Sequence, residues 1–267
     1  MIYDIQKASL LKRISAFLLD IMFMAMCILG FALLLTTITN YDTYSNGYYN
    51  RVNEIQESFN ISEISEKYNL TFSEYSAMTD EEKNNLPEEY AELVTTFENY
   101  ISACNSDADI IKFDEIRFTL ALFIASFAIL LSFLVLEFAI PMILKNGQTL
   151  GKKLFSIAVI RVDCVKVSPF ELFVRSILGK YTIETMVPCL MLISFYGAPI
   201  MSITVLLLIG LLQIVMITTT KTNSLLHDKL ASTVVVDLQS QMIFDSVSAM
   251  KEYKLKIHKE QADKAQY

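Results

Sequence analysis

Three carboxylates interrupt long apolar segments of this sequence, and their positions suggest ion or proton chemistry. Asp20, Glu137 and Glu184 each lie seven to nine residues from a basic residue that would mark a membrane boundary. At about 1.5 Å of rise per residue, this spacing places each carboxylate roughly 10–14 Å along its helix. Charged groups are costly in hydrocarbon, by about 2.5–3.5 kcal/mol on insertion scales, and usually face a bundle interior or a water-filled cavity. We therefore expect three helices to place these carboxylates at a similar depth.

The sequence leaves three interpretations of these carboxylates open. In the first, each pairs with a basic residue near the interface, and the pairs only hold the helices together. The basic residues available for this pairing are Arg13, Arg175 and Lys180. In the second, the carboxylates line a polar cavity, where burial and mutual repulsion favour their protonated forms; Asp20 then binds the proton or cation and the other two support it. In the third, they face lipid and reach toward the interface.

Other residue patterns do not form a recognisable site. Residues 147–153 look like a phosphate loop, but the loop is one residue short between its glycines and lacks a hydroxyl after its lysine. His227 and His258 are 31 residues apart with no cysteine near either, which does not fit a zinc site. The sequence also has no nucleophile–base pair and no dinucleotide fingerprint. We expect no enzyme activity, no cofactor, no resident metal and no nucleic-acid partner.

The apolar residues lie in blocks that predict membrane spans. Of the 267 residues, 53% are apolar and 19% are charged, and residues 185–220 form a run of 36 without a charge. A run of about 18 or more apolar residues is typical of a membrane-spanning helix. We predict spans at 14–38, 117–144, 180–196 and 200–220, with a tight turn at 196–199. The first run is too long for a cleaved signal peptide, so we predict an all-α integral membrane protein with a four-span helical bundle.

Charge asymmetry predicts the orientation and the domains. Residues 39–116 hold 17 acidic and 4 basic residues, whereas the rest of the chain holds 12 acidic and 18 basic residues. The positive-inside rule places the connection after the second span, and both termini, in the cytoplasm. The predicted parts are an N-terminus with span 1 (1–38), an acidic extracytoplasmic helical insertion (39–116), a core with spans 2–4 (117–237) and a charged cytoplasmic tail (238–267). The insertion is interpreted as a solvated acidic cap, or as a vestibule that concentrates cations.

Local patterns predict two features of the cytoplasmic connection. Ser168, Pro169 and Glu171 form a favourable helix start, and the helix to about Lys180 carries an apolar side that suits the membrane interface. Residues 156–162 are rich in β-branched side chains and are predicted to pair with residues 232–236.

Four motifs are spaced along the sequence. They are Lys12-Arg13 with Ala16-Phe17 and Asp20, then Gly147-x-Thr149-Leu150-Gly151-Lys152-Lys153, then Arg175, and then Leu226-His227-Asp228-Lys229-Leu230-Ala231-x-Thr233-Val234-Val235. Together these motifs resemble the RDD family of bacterial membrane proteins. The resemblance covers residues 7–38 and 117–237. It implies that Arg13, Asp20 and Asp228 are the Arg and the two Asp of the family name, and that the protein lies in a bacterial cell membrane. It also implies a transport role, which in some members resembles sodium/proton antiport.

The leading hypothesis is therefore a multi-pass membrane protein that transports cations or protons with Asp20, Glu137 and Glu184. Arg13, Arg175 and Asp228 would provide counter-ions, as a cytoplasmic latch near the mouth. The expected partners are the lipid bilayer, monovalent cations and protons, and further copies of the chain, because four spans give little room for a path. The alternative is a non-transporting scaffold that binds a partner through residues 41–115 or through the tail.

Overall fold

The computed structural model describes residues 5–144, 146–186, 199–220 and 222–265. About 75% of the chain is helical, and one two-stranded sheet accompanies the helices. The α-helices are Leu10–Ile38, Tyr41–Ser58, Ile61–Tyr68, Phe72–Ala77, Asp80–Asn84, Ala91–Ser106, Ala108–Phe133, Ile140–Ile143, Leu150–Leu154, Pro169–Phe173, Pro199–Thr219, Leu226–Leu230 and Val247–Ala265. Two π-helices, Leu134–Ala139 and Val174–Glu184, and a 3₁₀-helix, Glu88–Tyr90, complete the helical elements.

Two helices in the described part of the chain are long and apolar enough to cross a membrane. They are Leu10–Ile38, called the first span, and Ala108–Ile143, called the second span. Within the Pro199–Thr219 helix, Ile203–Thr219 is a shorter apolar segment. The predicted third span, 180–196, and its turn at 196–199 fall mostly outside the described residues. The structure therefore provides two candidate spans toward the predicted bundle of four.

The surface of the first span is apolar along its whole length. Leu11, Phe17, Met22, Leu29 and Ile38 each leave more than half of their side-chain surface exposed. Exposed apolar patches of this extent mark contact with a membrane or with another protein. The Arg13 and Asp20 side chains of the same helix, in contrast, are only 8% and 12% exposed.

The chain forms two compact units, and the first of these comprises Leu34–Ile124. Its core is built from Tyr75, Leu93 and Phe97, which are 0–1% exposed, together with surrounding aliphatic and aromatic side chains. Helices surround this core, and Thr79 and Glu82 form a reciprocal capping box at the start of Asp80–Asn84. The acidic segment predicted at 39–116 lies within this unit, which has its own hydrophobic core.

The second unit comprises Met1–Leu33 and Ala125–Tyr267, and a small sheet organises it. Strand β1, Ile157–Arg161, pairs in antiparallel register with strand β2, Thr233–Asp237, so that Val159 lies opposite Val235. The pairing predicted from β-branched residues is confirmed. Apolar side chains are buried on both faces of the sheet, with Val159 and Val235 on one face and Ile160 and Val234 on the other.

The helix predicted from Ser168 begins as expected and then changes type. Ser168 and Glu171 form a reciprocal capping box, and Pro169 occupies the first turn. From Val174 onward the helix is a π-helix, as shown by the hydrogen bond from the Thr185 amide to the Lys180 carbonyl. In a π-helix, i→i+5 hydrogen bonds bring residues five positions apart to nearly the same side. Arg175 and Lys180 therefore lie on one side of this helix, whereas a regular α-helix would place them on different sides.

Candidate functional site

Eight charged side chains and His227 lie together with little exposure in the described part of the second unit, and we call this group the charged cluster. It comprises Arg13, Lys152, Arg175, Lys180, Asp20, Glu137, Glu184, Asp228 and His227, and none of these side chains is more than 14% exposed. Four carboxylates meet four Lys or Arg cations, so the cluster is neutral overall when His227 is neutral. Since isolated buried charges are costly, this balance is what allows so many charges to be buried together.

Asp228 lies at the centre of the latch and is completely buried. One carboxylate oxygen accepts from the Arg175 guanidinium, and the other lies 3.5 Å from Nη2 of Arg13 and accepts from the Leu225 amide at 3.2 Å. Burial would raise the pKa of Asp228, but the charges of Arg175, His227 and Arg13 outweigh burial and hold that pKa well below its usual range. Asp228 is therefore an anion that bridges two guanidinium groups.

Asp20 contacts the segment that resembles a phosphate loop. Its carboxylate accepts from Thr149 Oγ1 at 2.5 Å and from the Gly151 amide at 2.8 Å, and lies 3.6 Å from Lys152 Nζ. Thr149 also caps the Leu150–Leu154 helix. The loop therefore fastens the first span to the connection that follows the second span.

Gly151 makes this close approach possible. A Cβ atom at this position would lie only 2.3 Å from the carbonyl oxygen of Ala16 in the first span. Real Cβ atoms essentially never approach other atoms so closely. The Gly in this motif is thus required by packing against the first span.

Glu137 and Lys152 connect Asp20 to the rest of the cluster. Glu137, on the Leu134–Ala139 π-helix, forms an ion pair with Lys180 at 2.6 Å. Burial, and then the charge of Lys180, lower the pKa of Lys152 to about 8, although Glu137 and Asp20 partly offset these effects. Lys152 is therefore a buried amine that can release its proton close to physiological pH.

Glu184 and His227 form the remaining pair. Nδ1 of His227 lies 2.7 and 2.8 Å from the two Glu184 oxygens, and the His227 amide donates to Glu184 at 2.8 Å. Nε2 of the same ring lies 3.1 Å from Nη2 of Arg175. Burial lowers the pKa of His227, Arg175 lowers it further, and Asp228 and Glu184 oppose the shift without reversing it.

The structure brings all six predicted site residues into one cluster. The sequence predicts some of their ion-pair partners but not all of them. The pairing of Glu137 with Lys180 is among those expected from sequence, as is the contact of Arg13 with Asp228. Lys152 and His227, the partners of Asp20 and Glu184, were missed. Lys152 lies in the motif at 147–153, which looks like a phosphate loop, and His227 lies in the motif at 226–235. Both motifs contribute to the family resemblance.

Both π-helices carry members of the charged cluster. Leu134–Ala139 carries Glu137, and Val174–Glu184 carries Arg175, Lys180 and Glu184. Segments of π-helix inside α-helices are rare and occur frequently at functional sites, because they change the direction of side chains at some cost in backbone geometry. Their coincidence with the buried charges makes the cluster the best candidate for a functional site.

No curated protein and no solved structure matches the chain. A family model described as the RDD family matches residues 90–232, which is more than half of the chain. The matched region contains Glu137, Glu184 and Asp228, whereas Arg13 and Asp20 precede it. The match begins 27 residues before the second region of resemblance, 117–237. On this match, and with apolar helices long enough to cross a membrane, the chain belongs to the RDD family.

Proposed function

We propose that this membrane protein exchanges protons and monovalent cations across the bilayer through the charged cluster. The observation that carries the proposal is the balance of four carboxylates against four Lys or Arg cations in a buried site. Gain or loss of one proton would leave one buried charge without compensation. Such a charge is costly, so the site would favour uptake or release of a small cation.

Lys152 is the residue best suited to lose that proton. Burial and the charge of Lys180 lower its pKa to about 8, within reach of neutral pH. Its neighbours are the carboxyl groups of Asp20 and Glu137, so that loss of the ammonium charge removes the cation that compensates them at that end of the cluster. This arrangement supports coupling between proton release and cation entry.

The proposed setting is a bacterial cell membrane, with four spans, both termini in the cytoplasm and the acidic unit outside. The charge asymmetry of the sequence and the two candidate spans support this topology. A homo-oligomer would supply the additional helices that a continuous path through the membrane requires.

Proton flux in proteoliposomes tests the proposed function. We expect wild-type protein to dissipate an imposed pH gradient when sodium, lithium or potassium is added. Asp20→Asn should abolish this cation-dependent proton flux. Asparagine keeps the shape of Asp20 and a carbonyl oxygen for the Gly151 amide, so the variant loses the charge and keeps that hydrogen bond. Because Lys152 then loses an anionic neighbour, flux is compared only between preparations whose circular dichroism matches that of wild type. Internal pH, read with a trapped fluorescent dye, is the measurement.

The matched control is Asp245→Asn, which removes the same charge from an ion pair with Lys166 that lies at the surface. This variant should transport like wild type. If folded wild-type protein gives no flux above that of empty liposomes, the proposal is wrong. The alternative, an interaction protein, would then be favoured by the separate hydrophobic core of the unit Leu34–Ile124.

A further inference from the structure

His227 lies between two charged side chains of the same π-helix. The ring is 4% exposed, with Nδ1 against both oxygens of Glu184 and Nε2 at 3.1 Å from Nη2 of Arg175. Gly179 lets the π-helix approach this closely, because a Cβ atom there would lie 2.7 Å from Cβ of His227. Both ring nitrogens therefore have fixed partners.

These partners specify the protonation state of the ring. A guanidinium group has only donors, so Nε2 must accept from Arg175 and carries no proton. An ionised carboxylate has only acceptors, so Nδ1 must donate to Glu184. The two contacts together require neutral His227 with its proton on Nδ1.

The guanidinium that His227 contacts also holds the latch. While Nη2 of Arg175 donates to His227, Nη1 donates to Asp228 and to Thr233 at 3.0 Å. Asp228 in turn contacts Arg13 of the first span. A continuous chain of contacts thus joins the Val174–Glu184 π-helix, the Leu226–Leu230 helix, strand β2 and the first span.

We infer that neutral His227 is a positioning residue that holds Arg175 on Asp228, and that protonation of His227 releases this latch. A proton on Nε2 would point at the N–H groups of Arg175, placing two donors and two positive charges against each other. Oδ1 of Asp228 lies 3.7 Å from Nε2, so the protonated ring would also compete with Arg175 for that carboxylate. The guanidinium would have to turn away, and it would then lose its bonds to Asp228 and Thr233.

The groups that face His227 determine the pH at which release occurs. Glu184 and Asp228 favour the protonated ring, whereas burial and Arg175 disfavour it; Lys180 and Arg13 act indirectly, through Glu184 and Asp228. The net effect places the pKa of His227 below its ordinary value of 6.5. The latch should therefore be closed at neutral pH and should open in mildly acidic conditions.

Hydrogen exchange of the protein in lipid nanodiscs tests this inference without any transport assay. The Leu225 and His227 amides donate to Asp228 and Glu184, so their protection reports on the latch. After correction for the intrinsic pH dependence of exchange, we expect protection of the segment around residues 225–231 to fall about tenfold or more as pH drops from 8 to 5. The midpoint should lie below pH 6.5. The Ala91–Ser106 helix, in the other unit, serves as an internal control.

Two substitutions separate the positioning role from a general loss of structure. His227→Gln keeps an acceptor near the position of Nε2 but cannot be protonated, so its protection should stay high down to pH 5. His227→Asn reaches Glu184 but not Arg175, so its protection should be low at every pH. The inference is overturned if wild type shows no pH step, or if His227→Gln keeps the step, which would assign it to a carboxylate. Either result is independent of whether the protein transports ions.

Discussion

Asp228→Asn is expected to lower the free energy of unfolding by about 3–5 kcal/mol, the usual cost of removing one partner from a buried ion pair. The substitution keeps the size of the side chain but removes the only carboxylate that contacts both Arg13 and Arg175 in the described part of the chain. Two buried guanidinium groups would then face each other without an anion between them. Equilibrium unfolding in mixed micelles, followed by circular dichroism, measures the effect.

The contrast with an exposed pair makes this prediction specific. Asp245→Asn breaks the Lys166–Asp245 pair, in which the Asp245 side chain is 81% exposed, and should leave the free energy of unfolding nearly unchanged. A similar, small effect of both substitutions would show that Asp228 does not hold the two arginines in the membrane protein.

Gly151→Ala is expected to destabilise the protein by about 1–3 kcal/mol, the range for inserting a methyl group into a packed site. The new Cβ atom would meet the backbone oxygen of Ala16, and a backbone atom cannot move aside as a flexible side chain can. The Leu150–Leu154 helix must therefore shift away from the first span, which weakens the contacts of Asp20 with Thr149 and with the Gly151 amide.

Gly30→Ala is the control for this substitution, since a Cβ atom at Gly30 meets nothing within 4 Å. Alanine has the higher helix propensity, so Gly30→Ala should be neutral or slightly stabilising. Thermal unfolding of the two variants in the same detergent gives the comparison. If Gly151→Ala unfolds at the wild-type temperature, the loop does not pack on the first span in the way described.

Local patterns predicted the parts of the fold that depend on neighbouring residues. The Ser168 capping box rests on residues three positions apart, and the start of the helix at Pro169 follows from it. The pairing of β1 with β2 was indicated by the β-branched residues that both segments share. Three carboxylates in apolar segments likewise indicated a buried polar site, because hydrocarbon tolerates such groups only under special conditions.

The partners within the site depend on geometry that the sequence pattern does not carry. The π-helix at Val174–Glu184 changes the face on which Arg175 and Lys180 lie, and an α-helical period assigns them to different sides. The contact of Lys152 with Asp20 requires the approach that Gly151 permits. The contact of His227 with Glu184 joins residues 43 positions apart, and no local pattern indicates it.

The charges of the cluster compensate one another, and a double-mutant cycle on Glu137 and Lys180 tests this compensation most directly. Their ion pair, at 2.6 Å, joins the second span to the Val174–Glu184 π-helix. Glu137→Gln and Lys180→Met should each be strongly destabilising, because each leaves a buried charge without its partner. The double variant should be more stable than either single variant, with a coupling of about 2 kcal/mol or more between the two sites. Additive effects of the two substitutions on the free energy of unfolding would contradict the account.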